Sequence, residues 1–300
     1  MMHQNKPPKA IFFYQGDTLV AEKNLAFDGL VALYGTFLGR LLRMILRRRF
    51  SAKVMGIYHN RALSKKLIQS FIKAYDISLD EFVIPPNGYS TFNDFFIRAL
   101  KPGKRKLPAD ERTAVSPVDG KLLVIKPLSP GTQFFAKQNH FCLKTFLGSY
   151  KDLLAYHFDG GALCMFRLAP YDYHRFHAPV SGTIVSIYRI RGILESVNPL
   201  AFLAGHQPLT SNERAVIIIE SIAHGKVAVV AVGAMFVGSI VISQRVGKRV
   251  TIGDELGHFA FGGSTVAVLF EHDQITLQTP FITHSLQGYE TAITMGTTLT

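Results

Sequence analysis

Residues 117–124 read PVDGKLLV and residues 179–186 read PVSGTIVS. Each is a proline-led turn feeding a strand, and the echo predicts two similar hairpins facing one another across a pseudo-symmetric β core. The echoed segments continue as strands over Lys121–Lys126 and Thr183–Ile190. Further strand patterns fall at Leu163–Leu168, Ala215–Glu220, Lys226–Val232, Phe236–Ser243 and Val266–Glu271, separated by Gly, Pro, Asn and Asp. Residues 101–300 therefore read as one β-rich, mostly antiparallel domain.

Upstream of it the pattern is helical. The most hydrophobic early stretch, Phe27–Leu46, is interrupted by Arg40 and Arg43 well short of the ~20 apolar residues that a spanning helix needs. Wound as one helix, it puts Arg40, Arg43 and Arg47 on one side with Thr36, and Phe27, Tyr34, Leu38, Leu41 and Ile45 on the other. That is an interfacial, amphipathic pattern, with Arg47, Arg48 and Arg49 at headgroup level; the alternative is a helix packed on the protein's own core with a solvated basic face.

A second helical pattern over Arg61–Tyr75 gives an apolar face of Leu63, Leu67, Phe71 and Ile72, and Pro85–Gly88 breaks it. Ser90 or Thr91 then caps a short helix through Leu100, and Lys101–Pro108 reads as a charged linker. The expected fold class is α+β, with a helical, membrane-associating region over residues 1–100 followed by the β-rich domain over 101–300.

The 300-residue chain can bury a sizeable core, and its 48% hydrophobic content, with 23 Phe and no Trp, leans toward contact with lipid. A formal net charge of +12 asks for an anionic partner, which composition leaves open among nucleic acid, an acidic substrate and an anionic bilayer. Cys142 and Cys164 lack CxxC spacing and read as buried thiols of a reducing compartment. Residues 1–16 show no sustained apolar core followed by a small-residue cleavage site, so no secretory leader is expected and the protein is placed in the cytosol.

The chemistry-bearing candidates are few. Gly262, Gly263, Ser264 and Thr265 form a turn before the last long strand. Two glycines ahead of a serine permit strained or positive-φ geometry and close approach to the Gly263 carbonyl. Such a site can host an acyl shift: the Ser264 hydroxyl attacks that carbonyl, the resulting ester is eliminated by loss of the serine α-proton, and hydrolysis leaves a pyruvoyl group and ammonia. By itself the same turn is equally an ordinary hairpin loop.

A serine needs a base, and residues 171–179, YDYHRFHAP, offer His174 and His177; Asp119, in the first echoed turn, can hold a base's tautomer or simply cap its own turn. His174 and His177 are also spaced like zinc ligands, but neither HxH nor HExxH accompanies them, so no metal is expected.

Taken in order, the stretches YSTFNDFFIRALKPG, SPVDGKLL, APYDYHRFHAPVSG, NERAV, VGAMFVGSI and GDELGHFAFGGSTV, between about residues 89 and 271, resemble the phosphatidylserine decarboxylase proenzymes. The resemblance implies that Asp119, His177 and Ser264 form a charge relay for autocatalytic cleavage between Gly263 and Ser264. That cut gives a large chain, 1–263, and a small chain, 264–300, whose first residue becomes a covalent pyruvoyl cofactor. In turnover this carbonyl forms a Schiff base with the substrate amine and accepts the electrons released as CO₂ leaves. His174 is implied less directly, as a residue that positions the carboxylate or delivers the proton. Many members carry Leu-Gly-Ser-Thr where this chain has Gly262.

The implied substrate is phosphatidylserine, the product phosphatidylethanolamine, and the partner an anionic phospholipid membrane rather than nucleic acid, met peripherally from its cytoplasmic side; a homo-oligomer stays open. Two rival readings lack their motifs. A biotinyl- or lipoyl-carrier barrel needs an exposed lysine at a hairpin tip, typically Met-Lys-Met for biotin, and a lysostaphin-type zinc peptidase needs an HxH pair.

Overall fold

The computed structural model describes residues 10–23, 27–128, 141–148, 152–236, 239–262 and 264–300. Its strands are β1 (Phe12–Gln15), β2 (Thr18–Ala21), β3 (Gly120–Ile125), β4 (Ala162–Leu168), β5 (Arg175–His177), β6 (Gly182–Ile190), β7 (Arg214–Ser221), β8 (Gly225–Gly233), β9 (Ile240–Ile242), β10 (Arg249–Val250), β11 (Glu255–Phe259), β12 (Ser264–Phe270) and β13 (Glu290–Ile293). The helices are α1 (Phe27–Gly35), α2 (Phe37–Leu46), α3 (Arg49–His59), α4 (Lys66–Tyr75), α5 (Phe92–Phe96), α6 (Leu143–Leu147), α7 (Asp152–His157), α8 (Pro199–Leu203), α9 (Pro208–Ser211) and α10 (Thr279–Leu286).

Ten strands form one sheet in the order β10-β6-β7-β8-β12-β4-β3-β13-β1-β2, antiparallel except where β1 meets β13. A smaller antiparallel sheet has the order β5-β11-β9. Side-chain alternation sorts the large sheet's residues into two cores. Leu122, Phe166, Val229 and Val268 bury on one face, and Leu123, Met165, Val230 and Leu269 on the other. With both faces covered, the central strands read as near-continuous apolar runs.

The echoed segments become β3 and β6, the outer members of two three-strand sets, β3-β4-β12 and β6-β7-β8, that abut at β8 and β12. Their turns nevertheless touch, since Val115 donates its N–H to the Pro179 carbonyl at 2.9 Å and His177 donates to the Pro117 carbonyl at 2.9 Å. The sheet must curl to allow this. Each half is thus a strand set, and the two halves share one core, in which Leu122 and Phe166 cluster with Ile184 and Ile217.

Several local expectations are corrected. Phe27–Leu46 is two helices bent by 104°, not one. Thr36 makes the break, accepting from the Gly39 N–H at 3.0 Å as the N-cap of α2 and donating to the Ala32 carbonyl at 2.8 Å. Arg43 does not face solvent; it pairs with the buried Glu195, which also accepts from the Tyr34 hydroxyl at 2.7 Å. The apolar face of α2 points outward instead, with Phe37 79%, Leu38 75% and Ile45 63% exposed. Among the described residues no single helix is long and apolar enough to cross a membrane.

Leu63 is exposed, and Ile68 takes its place in a cluster with Tyr89, Phe92, Phe95 and Phe96. The helix capped by Thr91 ends at Phe96 rather than Leu100, because residues 99–101 are extended and pair with 81–83 ahead of Pro102. Among the described residues of Phe236–Ser243, which leave out 237 and 238, only Ile240–Ile242 is a strand, and Phe236, at φ 70°, cannot continue one. Cys164 is buried within β4, whereas Cys142, just ahead of α6 and outside the sheet, is exposed.

Strands β1 and β2 were not apparent in the sequence. They attach the start of the chain to β13 and place Glu22 against Arg167, which also binds Glu290 of β13 through Nε at 2.9 Å. Breaking such a buried cluster by removing one partner costs about 3–5 kcal/mol.

Candidate functional site

Ser264 is the first residue of β12, and the ladders on both sides fix its backbone, opposite Leu168 of β4 and Gly233 of β8. Its side chain is fully buried, and the Oγ lies 3.3 Å from His174 Nδ1. The other ring nitrogen, Nε2, donates to the Ala169 carbonyl at 3.1 Å. That bond puts the ring proton on Nε2 and leaves the Nδ1 lone pair aimed at the hydroxyl. Burial, with a further contribution from the Arg98 charge, pushes the His174 pKa down to about 3, so the ring is neutral.

The turn that aims His174, residues 169–174, is held from two directions. Inside it, the Ala169 N–H donates to Asp172 Oδ2 at 2.7 Å, and the Asp172 N–H donates back to the Ala169 carbonyl at 3.0 Å. From β3, Lys121 Nζ reaches both Asp172 carboxylate oxygens, at 3.0 and 2.8 Å. From beyond α5, Arg98 donates through one NH₂ group to the Tyr171 carbonyl at 3.0 Å and the Asp172 carbonyl at 3.3 Å. Its guanidinium lies over the Phe82 and Phe95 rings, 4.4 and 5.0 Å from their centroids.

Helix α5 supplies an aromatic wall. Phe96 stacks on His174 with centroids 3.9 Å apart and packs edge-on against Phe261, which itself stacks on His59 at 3.9 Å. Asn93 accepts from the Phe261 N–H at 3.1 Å, tying α5 to the chain three residues before Ser264. These rings keep the imidazole in a low-dielectric setting and restrict its rotation. Phe96, Asn93, Arg98, Lys121 and Asp172 were not singled out by residue chemistry. All five lie in stretches that carry the family resemblance, three in YSTFNDFFIRALKPG, Lys121 in SPVDGKLL and Asp172 in APYDYHRFHAPVSG, and that was the available signal.

Asp119 and His177 occupy a neighbouring position. Asp119 Oδ1 accepts from the Met295 N–H at 2.7 Å, and Oδ2 pairs with Arg105 at 2.6 Å. His177 donates from Nδ1 to the Gly253 carbonyl at 2.8 Å and accepts the Tyr173 hydroxyl at Nε2, 3.0 Å away. Burial lowers its pKa, and the nearby Glu255 and Asp119 charges raise it in part. Thus Ser264 and His174 are brought into contact, while Asp119 and His177 hydrogen-bond neither to Ser264 nor to each other among the described residues. Gly262 has φ 136°, a conformation that side chains disfavour; Gly263, the other half of the expected cleavage bond, lies outside the described residues.

A cavity of about 170 Å³ adjoins the strand ends beside Ser264, lined by Leu168, Ala169, Ala234, Met235 and, from the helical region, Leu30 and Tyr75. Among the described residues no group of three or more His, Cys, Asp or Glu side chains is arranged to hold a metal ion. A buried serine faced by a neutral histidine can act as a nucleophile in acyl transfer.

Comparison with known proteins matches residues 92–299 to the family described as phosphatidylserine decarboxylase. The chain is 36% identical over 282 residues to the phosphatidylserine decarboxylase proenzyme of Chlamydia trachomatis, covering 93% of each protein. It is 35% identical over 276 residues to the corresponding proenzyme of Fusobacterium nucleatum, covering 92% of this chain and 91% of that one. Phosphatidylserine decarboxylase proenzyme 3 of Schizosaccharomyces pombe is 40% identical over 243 residues, which are 80% of this chain and only 25% of that longer protein.

Proposed function

The chain belongs to the phosphatidylserine decarboxylase family, and from that membership we propose that it decarboxylates phosphatidylserine to phosphatidylethanolamine after cutting itself between Gly263 and Ser264. It is a decarboxylase made as a self-processing proenzyme. The observation that carries the reading is the His174 Nδ1 to Ser264 Oγ contact of 3.3 Å inside a fully buried site.

In the cleavage, Ser264 Oγ attacks the Gly263 carbonyl carbon and His174 Nδ1 takes the hydroxyl proton. The peptide nitrogen leaves protonated, and an ester joins the two parts. Removal of the Ser264 α-proton expels the Gly263 carboxylate, and hydrolysis of the remaining dehydroalanyl end releases ammonia. Asp119 and His177 enter as the matched charge-relay residues, with the Asp119 bonds to Arg105 and Met295 holding the C-terminal segment in register during the cut.

The residues present fit a pyruvoyl group at position 264, because its precursor is buried, both flanking strands fix its backbone, and the His174 ring that faces it is itself stacked on Phe96. When formed, that group supplies a carbonyl that condenses with the substrate amine and takes up the electron pair left by CO₂. His174 sits where it can orient the substrate carboxylate or return a proton, and Phe96 with Phe261 limits water. The serine headgroup enters the cavity beside Leu168 and Ala169.

The division of labour follows residues 1–100 and 101–300, the first part meeting the lipid and the second carrying the chemistry. The outward apolar face of α2, with Arg40 and Arg48 nearby, seats the enzyme peripherally on an anionic bilayer, from the cytoplasmic side. The direct test is release of CO₂ from carboxyl-labelled phosphatidylserine with equal formation of phosphatidylethanolamine. Cleaved protein that released none would overturn the assignment.

A further inference from the structure

A second cavity, of about 300 Å³, lies between α3 and the ends of β6 to β8, separated from the first at the boundary between Gly233 and Ala234. Three cationic side chains line it, Arg49 and Lys53 from α3 and Arg189 from β6, against a single carboxylate, Glu213. Arg49 pairs with Glu213 at 2.7 Å, and Arg189 is fixed by donating to the Ile240 carbonyl at 2.8 Å. Lys53 has no partner among the described residues, so the cavity carries cationic charge in excess.

Helix α3 exposes apolar side chains alongside its cations. Phe50, Val54 and Ile57 face outward and are exposed, continuing the apolar face of α2, while Ala52, only 2% exposed, lines the cavity together with the cations. Arg49, Lys53 and Arg189 are themselves solvent-exposed, and cations beside an exposed apolar stripe sit at headgroup depth when that stripe meets lipid. The cavity also reaches Gly233, the residue opposite Ser264, and adjacent strands are about 4.8 Å apart.

We propose that this cavity binds the phosphodiester of a phospholipid headgroup through Lys53, Arg189 and Arg49, a reading that rests on the chain acting at a lipid surface. The phosphodiester comes either from an anionic lipid beside the substrate or from the substrate itself, whose phosphorus is separated from its amine by two carbons and an oxygen.

The test compares the wild type with Lys53→Ala/Arg189→Gln, using Lys248→Gln as a charge control and Lys53→Arg as the conservative variant, all first checked for normal cleavage. Decarboxylation is measured in neutral detergent micelles with phosphatidylserine as the sole phospholipid, then with phosphatidylglycerol added. If a neighbouring lipid fills the cavity, phosphatidylglycerol stimulates the wild type and the double variant loses that response. If the substrate's own phosphodiester fills it, the double variant raises KM roughly tenfold without phosphatidylglycerol, with kcat nearly kept. Lys248→Gln behaves as wild type in either case, and Lys53→Arg, which keeps the charge, retains most of whichever property the double variant loses. A double variant equal to wild type in KM and in its response to phosphatidylglycerol overturns the proposal.

Binding of the uncleavable Ser264→Ala chain to phosphatidylcholine vesicles with and without phosphatidylglycerol, alone and combined with the double variant, gives a readout independent of turnover. Loss of the phosphatidylglycerol-dependent binding on adding the double variant supports the site even if no CO₂ is ever formed. Unchanged binding counts against it.

Discussion

Asp119 accepts a hydrogen bond from the Met295 amide at 2.7 Å, and its other oxygen holds Arg105 at 2.6 Å. A cut between Gly263 and Ser264 turns the first of these into a bond between two chains. Together with β12 and β13, which stay inside the large sheet, it keeps the small chain in place after cleavage. Asp119→Ala removes the proposed relay carboxylate and this tether together. Self-cleavage is expected to slow at least tenfold, read as persistence of the full-length band in a time course on denaturing gels. Cleavage at the wild-type rate would remove Asp119 from the account.

His174 gives a pH signature. Its pKa falls from the ordinary 6.5 to about 3 on folding, so between those values the unfolded chain binds a proton that the folded chain refuses. This group's contribution therefore weakens as pH drops through 6.5 and goes on weakening to about 3, at no more than about 1.4 kcal/mol per pH unit. His174→Gln should lose less stability than wild type over that acid range in urea titrations. Parallel losses would show that the histidine is not held neutral.

The Lys121 and Asp172 pair is expected to behave as a buried ion pair. Lys121→Met leaves a carboxylate buried without its cation and should cost about 3–5 kcal/mol, while Lys121→Met/Asp172→Asn recovers much of it. The observable is the denaturation midpoint. A single variant as stable as wild type would contradict the clamp on the turn that carries His174.

Gly262 has φ 136°, so a side chain here meets a backbone that disfavours it. Gly262→Leu should cost about 1–3 kcal/mol or shift the turn and slow cleavage. Unchanged stability and cleavage would show that the turn relaxes freely.

Much of this was legible in the sequence for a physical reason. Strands buried on both faces, such as Ala215–Glu220 and Val266–Glu271, write themselves as apolar runs, and their glycine and proline turns are local. The pairing of β1 with β13 was not legible, because it joins segments at opposite ends of the chain and both are short. Nor was the orientation of α2: periodicity separates Arg43 from Leu38 but does not say which face meets the protein, and that was decided by Glu195, far away in sequence. At the site, residue chemistry identified Ser264 and offered His174 and His177 as equivalent bases. Their difference lies in which carbonyl each ring donates to, Ala169 or Gly253, and no spacing rule encodes that.

The central claim, that Ser264 first cuts the chain and then becomes its cofactor, is tested most directly by the intact mass of the purified, denatured protein. The account predicts two chains, 1–263 and 264–300, the smaller one lighter by one ammonia than a chain beginning with serine. A single uncut chain from an active preparation, or a small chain that retains its N-terminal serine, would contradict it.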